Sequence, residues 1–352
     1  MTNTRSSFKK LKAFNGDCII IKSYNNEGKE INILIDGGTK STFEYSLKKE
    51  IQGLKYIDLI ILTHIDSDHI GGLIKFFNNS IIDKIIVKNI WVNFPNIIEI
   101  PSGEKISFGQ AKTLEDLIKE KMPKTIINNY IHSENGAIIF EGLRITIISP
   151  SKEILKKLYD SWPKIKELEN KLDENKIKIS KDSDFINNKK PLSELNIIPF
   201  KPDKSIINDL INASSIAIIL ECQDLKLLLL ADSRPEIIEK YLIENYSAEE
   251  KLKVDYVKVS HHGSKNNTSQ NMLNYIDCNN YIISTNGGTS LHKHPSRETI
   301  ARIVYNEKRN FENKRFIYFN YPIEDIKKKI GNFINDNDMN EGNWEALYKN
   351  EF

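Results

Sequence analysis

The segment "LTHIDSDHIGG", Leu62 to Gly72, places two histidines and two aspartates within six positions, directly behind the apolar run "YIDLIILT". An unbroken apolar run of this length, preceded by a helical pattern ending near Gly53, reads as a strand buried on both faces. That points to a layered α/β arrangement rather than a bundle or an open hairpin. The polar cluster begins where the strand stops. His64, Asp66, Asp68 and His69 follow the spacing H-x-D-x-D-H. Two imidazoles and two carboxylates on a tight turn present nitrogen and oxygen donors to one region, the ligand types that Zn²⁺ or Mn²⁺ accepts. Such a turn can face two ions. Gly71 and Gly72 let the backbone come close and turn into a helix without steric penalty. One histidine and one aspartate near a turn would be ordinary caps; four such groups behind a buried strand are not.

A metal site needs donors from elsewhere in the chain, and several apolar runs end in them. Asp36 ends "INILIDGG", Asp232 ends "LKLLLLAD", and His261 with His262 follows "VDYVKVS". If these strands lie side by side their ends converge on one rim, where layered α/β folds place ligand sites. Taken singly, Asp36 could be a turn residue before Gly37, and Asp232 could cap a helix at Pro235.

The surrounding chain supports a single domain over 8–320. "DCIIIKSY" and "EINILIDGG" flank the turn "NNEGK" as a hairpin, and strand and helix patterns alternate to about Met122. From Ala137 strands dominate: "AIIFEGL" and "RITIISP", then "SSIAIILE" and "LKLLLLAD". Between these pairs the lysine-rich segment 151–205 reads as a partly helical, solvated insertion with a flexible loop, with a substrate-facing lid as the sharper alternative. "PEIIEKYLIEN" and "SRETIARIVYNE" read as helices and "RFIYFN" as a last strand. The asparagine-rich residues 321–352 read as a peripheral tail.

Fifty basic and forty-eight acidic residues give a formal charge of +2, so no global field draws the chain to nucleic acid or anionic membrane, although a local basic groove could suffice. Cys18, Cys222 and Cys278 are odd in number and far apart, which argues against a disulfide framework. The N-terminus lacks an apolar signal region and no run has the length of a membrane span. A cytoplasmic protein without membrane contact is expected. Nothing in the sequence fixes an oligomeric state.

With these residues in place, the chain resembles the metallo-β-lactamase superfamily of hydrolases, whose signature is H-x-H-x-D-H after a buried strand. Aspartate at the third place, here Asp66, is a variant within it. Inside the superfamily it resembles the hydrolase domain attached to the DNA-uptake channel protein ComEC, through "NGDCIII", "ILIDGG", "LTHIDSDHIGG", "NASSIAIIL", "LLLLADSRPE", "VSHHGSKNNTS" and "HKHPSRE", in that order from Gly16 to about Ile303. The resemblance implies an α+β fold, a four-layer αββα sandwich of two mostly antiparallel sheets with helices outside and two divalent ions, Zn²⁺ or Mn²⁺, at one edge. It implies that His64 and Asp66, with one histidine of the His261/His262 pair, hold one ion, that Asp68 and His69 hold the other, and that Asp232 bridges. Asp36 would support the motif loop, and Asp68 and His294 would be the catalytic residues, His294 by substrate contact or proton donation.

Many members supply a further histidine ligand before the bridging aspartate. Here the only histidine between His69 and His261 is His132, in the polar segment "NNYIHSEN", which reads as a surface residue. At the expected position stand Asn212 and Ser215, which match the ComEC-like pattern. The implied ligand set is therefore richer in oxygen than nitrogen, which raises Mn²⁺ beside Zn²⁺. Hydrolysis is the implied reaction, with a phosphodiester of DNA or RNA as the leading substrate and Lys265 a candidate phosphate contact. The alternatives are a small phosphodiester, cyclic nucleotide or lactone, and, from another class, a binding or regulatory module without metal. The implied kinship with a channel-attached domain leaves room for a protein partner encoded elsewhere.

Overall fold

Isoleucine and leucine alternate between the two faces of most strands, and this alternation sets the layers. The structure, a computed structural model, describes residues 5–93, 107–161, 190–288 and 293–352. One sheet takes β1 (Ser7–Lys10), β2 (Ile19–Tyr24), β3 (Glu30–Ile35), β4 (Tyr56–Ile61), β5 (Ile86–Val92) and β6 (Ile126–Asn129) in that order. The other takes β7 (Ala137–Phe140), β8 (Leu143–Ser149), β9 (Ala217–Glu221) and β10 (Lys226–Leu229), then β12 (Tyr256–Lys258), β14 (Asn280–Ile283), β15 (Arg315–Phe319) and β16 (Trp344–Tyr348). The short β11 (Leu252–Lys253) and β13 (Ile276–Asp277) pair separately.

Ile33, Ile35, Leu59 and Ile61 of the first sheet meet Ile145, Ile218, Leu227 and Leu229 of the second in a central core. On its outer face the first sheet is covered by the helix Ser67–Phe77 through Ile70, Leu73, Phe76 and Phe77. The helices Pro235–Asn245 and Arg297–Val304 cover the second through Ile238, Leu242, Ile300 and Val304. Three apolar interfaces thus separate four layers in αββα order.

The expected mostly antiparallel sheets are in fact mixed. β1 to β3 and β7 to β10 pair antiparallel, whereas β3 to β6 and the series β10, β12, β14, β15, β16 run parallel. The helices that cross over between consecutive strands require this parallel sense. The consequence is functional: the C-terminal ends of β3, β4, β10, β12 and β14 share one rim.

The tail read as peripheral is integral, and the described ends of the insertion are packed into the fold. Strand β16 pairs along β15, Trp344 is buried, and Phe352 stacks on Phe8 while their backbones exchange two hydrogen bonds of 3.0 Å. Its few apolar residues are diluted among asparagines and charges, which hides the strand in the sequence. At the ends of the 151–205 insertion Leu155 is buried, Leu158 joins the core outside the first sheet, and Leu192 and Leu195 join that outside the second. Its middle, 162–189, lies outside the described residues. Among the described residues no helix is long and apolar enough to cross a membrane, and the three cysteines are free.

Glycines bring the loop after β3 against the motif helix. Gly37 N–H donates to the His69 carbonyl (2.8 Å) and Gly72 N–H to the Gly38 carbonyl (2.9 Å). A Cβ on Gly72 would fall onto the Gly37 carbonyl oxygen. Gly72→Ala is therefore expected to lower the unfolding free energy by about 3 kcal/mol through overpacking, seen as a lower urea midpoint with an unchanged m-value.

Candidate metal centre

The motif loop is shaped by the change from strand to helix. Leu62 still extends the sheet, donating to the Trp91 carbonyl (3.0 Å), and Asp66 is the extended N-cap of the helix that begins at Ser67. Asp68 and His69 then fall in the first helical turn, where the exposed N–H groups favour a carboxylate. At the other strand ends the backbone turns left-handed at non-glycine residues: φ is +56° at Asp36, +48° at Ala231, +46° at His261 and +55° at His262. Such conformations are costly and gather at functional sites. The two consecutive ones splay the His261 and His262 rings, 80° apart, toward one region.

Each histidine is tethered through Nδ1. His69 Nδ1 donates to Asp36 Oδ2 (2.8 Å), and His262 Nδ1 donates to the Ser284 carbonyl (3.0 Å). His261 Nδ1 donates to Asn267 Oδ1 (3.1 Å), whose amide is fixed by donating to the Asp232 and Ser233 carbonyls. Thr63 Oγ1 donates to Asp36 Oδ2 (2.8 Å), so it accepts from His64 Nδ1 (3.1 Å). With protons on the Nδ1 atoms, the four Nε2 lone pairs face the rim, the arrangement that outer hydrogen bonds give to metal-binding imidazoles.

All four point at one oxygen. Asp232 Oδ2 lies 3.5 Å from Nε2 of His69 and of His262, 3.7 Å from that of His261 and 4.0 Å from that of His64. These separations are too long for good hydrogen bonds and suit donors sharing an ion held at about 2.0–2.2 Å from each. Asp66 Oδ2 is 3.7 Å from His64 Nε2, and Asp68 Oδ2 is 3.8 Å from His262 Nε2 and accepts from Asn15 Nδ2 (2.9 Å). Nε2 of His64, His69 and His262 and Oδ1 of Asp232 are buried without a hydrogen-bond partner. Buried polar atoms are rarely left so, and orphaned donors converging on one carboxylate fit divalent cations. His64, His69 and Asp232 form one group with ligand atoms within 4.8 Å of each other, and Asp68, His69 and His262 another.

Burial pushes the Asp232 carboxyl up, but His262, His261 and His69 outweigh it and hold it well below the usual carboxylate range. Burial likewise lowers His69, yet Asp232 and Asp36 raise it well above an ordinary imidazole. For His262 burial prevails and the shift is downward.

Behind the rim lies a buried ionic group absent from the sequence-based expectations. Asp17 sits between Lys10 (2.5 Å) and Lys258, and Lys258 also faces Asp232 Oδ1 at 3.8 Å. The two lysines hold Asp17 far below the usual carboxylate range against its burial. The available signal was Lys258 itself, a charge inside the apolar run "VDYVKVS" directly before the histidine pair.

The remaining expected residues divide. His294 reaches the site's edge, its ring 5.7 Å from that of His261 and 6.4 Å from that of His262. Ser215 is fully buried beside the motif loop, since the next residue, Ile216, donates to the Thr63 carbonyl (2.9 Å). Asn212 turns to Asp209 (2.9 Å), a partner of Arg234. The Lys265 ammonium lies 3.8 Å from the Asp203 carboxylate. His132 is buried rather than exposed: it packs edge-on to Tyr130 and its N–H donates to Asn135 (2.7 Å), which fixes the turn before β7. Both members of the His261/His262 pair approach Asp232, so of the expected ligands four imidazoles and three carboxylates come together. Asp17 and Asp36 add two further carboxylates close to His69 and His262.

The family model of the Metallo-beta-lactamase superfamily matches residues 11–287. No curated protein sequence matches the chain. Similar solved structures include a diphosphatase of the PhnP family, at 13% identity over 99% of this chain and 97% of that one, with a TM-score of 0.41. Zn²⁺-bound PqqB from Methylobacterium extorquens is similar at 10% identity over 98% and 99%, with a TM-score of 0.43. A long form of RNase Z from yeast is similar at 14% identity over 96% of this chain and 44% of that one, with a TM-score of 0.39.

Proposed function

The chain belongs to the metallo-β-lactamase superfamily, and from that premise we propose that it is a metal-dependent hydrolase, a phosphodiesterase that cleaves DNA or RNA. The observation that carries the reading is the convergence of four tethered imidazoles on Asp232 Oδ2. His64, Asp66 and His261 would hold one divalent ion and Asp68, His69 and His262 the other, with Asp232 between them. This places the buried histidine of the pair with Asp68 and His69. Zn²⁺ or Mn²⁺ bound there would supply Lewis acidity, making water acidic enough to ionise near neutral pH and offsetting charge on the attacked phosphoryl group.

The chain's own groups orient and move protons. Asp36 and Thr63 keep the His69 and His64 lone pairs turned to the rim, and Asn15 holds the Asp68 carboxylate by donating to Oδ2. His294, its ring 5.7 Å from that of His261, would touch the substrate or pass a proton to the leaving oxygen. A polymer substrate is favoured by an aromatic ledge next to Asn15: Tyr45, 78% exposed, packs edge-on against Phe14 at 6.0 Å, a surface on which a splayed base can stack. Lys12, over the rings of Tyr321 and Tyr348, adds a positive charge along the same edge. The ordered motifs shared with the ComEC-type domain support DNA within this class.

The test is a panel of Zn²⁺, Mn²⁺ and Mg²⁺ against single-stranded DNA, duplex DNA, RNA and a chromogenic phosphodiester. Cleavage of a polymer is expected; turnover of the chromogenic ester alone would instead assign a small substrate. Asp68→Ala is expected to lower turnover about 10²–10⁴-fold with circular dichroism unchanged, and full activity in that variant would refute the assignment of Asp68.

A further inference from the structure

Two lysines serve one buried carboxylate. Lys10 Nζ binds Asp17 Oδ1 at 2.5 Å and Lys258 Nζ binds Asp17 Oδ2, all three side chains being almost wholly buried. One ammonium would neutralise Asp17, and burying a second is costly unless it meets another negative charge. The pairing of strands decides which lysine has that second role. Lys258 lies beside Leu229 of β10 and Ile282 of β14, donates to the Ala231 carbonyl (3.0 Å), and stands 3.8 Å from Asp232 Oδ1, an oxygen with no hydrogen-bond partner. The opposite oxygen of the same carboxylate faces the histidines.

We infer that Lys258 is a built-in counter-ion for Asp232, supplying part of the positive charge that divalent ions bring to that carboxylate and competing with them for it. The inference rests on the reading of Asp232 as the residue between two ions. It fits the two-sided environment of Asp232, whose Oδ1 faces the lysine while Oδ2 faces the histidines. Its consequence is a coupling of definite sign. Two positive charges on one carboxylate repel each other, so removing Lys258 strengthens the attraction left for the ions. An orienting role would do the reverse, since loss of outer hydrogen bonds typically weakens metal affinity about 10–100-fold.

The experiment titrates Mn²⁺ into the metal-free full chain by calorimetry and records melting temperatures with and without the ion. Lys258→Met is expected to bind Mn²⁺ about tenfold more tightly than the parent or better, and to lose more melting temperature metal-free than loaded. Lys10→Met, which removes a charge from Asp17 without facing Asp232, is expected to lower both melting temperatures and to tighten Mn²⁺ binding by less than Lys258→Met does. Should Lys258→Met fail to fold, Asp17→Asn with Lys258→Met is compared with Asp17→Asn alone, and the same tightening is expected. Unchanged affinity in the Lys258 variants would overturn the counter-ion role, and weaker affinity would overturn it in favour of orientation. A parent chain that takes up no Mn²⁺ or Zn²⁺ would overturn the metal-centre reading together with this inference, whereas two ions bound with no coupling would overturn this inference alone.

Discussion

Replacing Asp232 with asparagine is expected to leave a folded chain that has lost tight binding of at least one ion and hydrolyses the proposed phosphodiester substrate at least about a thousandfold more slowly, the scale on which transition-state charge stabilisers act. The reason is geometric. One carboxylate oxygen stands 3.5–4.0 Å from four imidazole nitrogens drawn from the motif loop and the His261/His262 turn. Both proposed ion positions therefore depend on it. An amide keeps the shape but removes the charge, and whichever way it turns it offers one weak acceptor where an anion stood. Calorimetric titration with Mn²⁺ and a chromogenic phosphodiester assay check the two halves. Two ions bound with parental affinity in this variant would remove Asp232 from the centre.

Asp36→Asn is expected to act without touching an ion. Asp36 accepts from Thr63 N–H through Oδ1 (2.8 Å), and from Thr63 Oγ1 and His69 Nδ1 through Oδ2 (both 2.8 Å). Asparagine has one acceptor oxygen for these three donors. With its oxygen on the Thr63 N–H, its NH₂ confronts the other two, and His69 relieves the conflict by moving its proton to Nε2, where the lone pair is needed. The expected result is metal affinity about 10–100-fold weaker and a folded state less stable by about 2–4 kcal/mol from the unsatisfied buried groups. Chemical denaturation reads the second effect. Parental metal affinity would show that Asp36 does not control the imidazole.

The site was legible where its signal was local. Four ligand-type residues in the motif loop, and apolar runs ending in Asp36, Asp232 and His261/His262, could be read because each donor ends its own strand. The fold then brings those ends to one rim through the parallel registers Ile35↔Ile61 and Leu229↔Lys258. What escaped depended on contacts between distant segments. Asp17 and Lys258 are 241 positions apart, and nothing in "NGDCIII" announces that its aspartate lies under Asp232. His132 reads as solvated because its neighbours are polar, yet its burial comes from the turn that Asn135 closes. Strand β6 is mostly exposed and so lacks alternation, while β16 hides its buried Trp344 among polar residues. The mostly antiparallel sheet sense came from the resemblance, whereas the alternation of strand and helix in the sequence already carries the parallel crossovers that make the sheets mixed.

The central claim is that His64, Asp66, Asp68, His69, Asp232, His261 and His262 form one centre for two divalent ions. Elemental analysis of the purified chain, after removal of its metals and equilibration with Zn²⁺ or Mn²⁺, tests it most directly. The account predicts two tightly held ions per chain, with phosphodiester hydrolysis returning as they bind. A folded chain that holds no Zn²⁺ and no Mn²⁺ would contradict it.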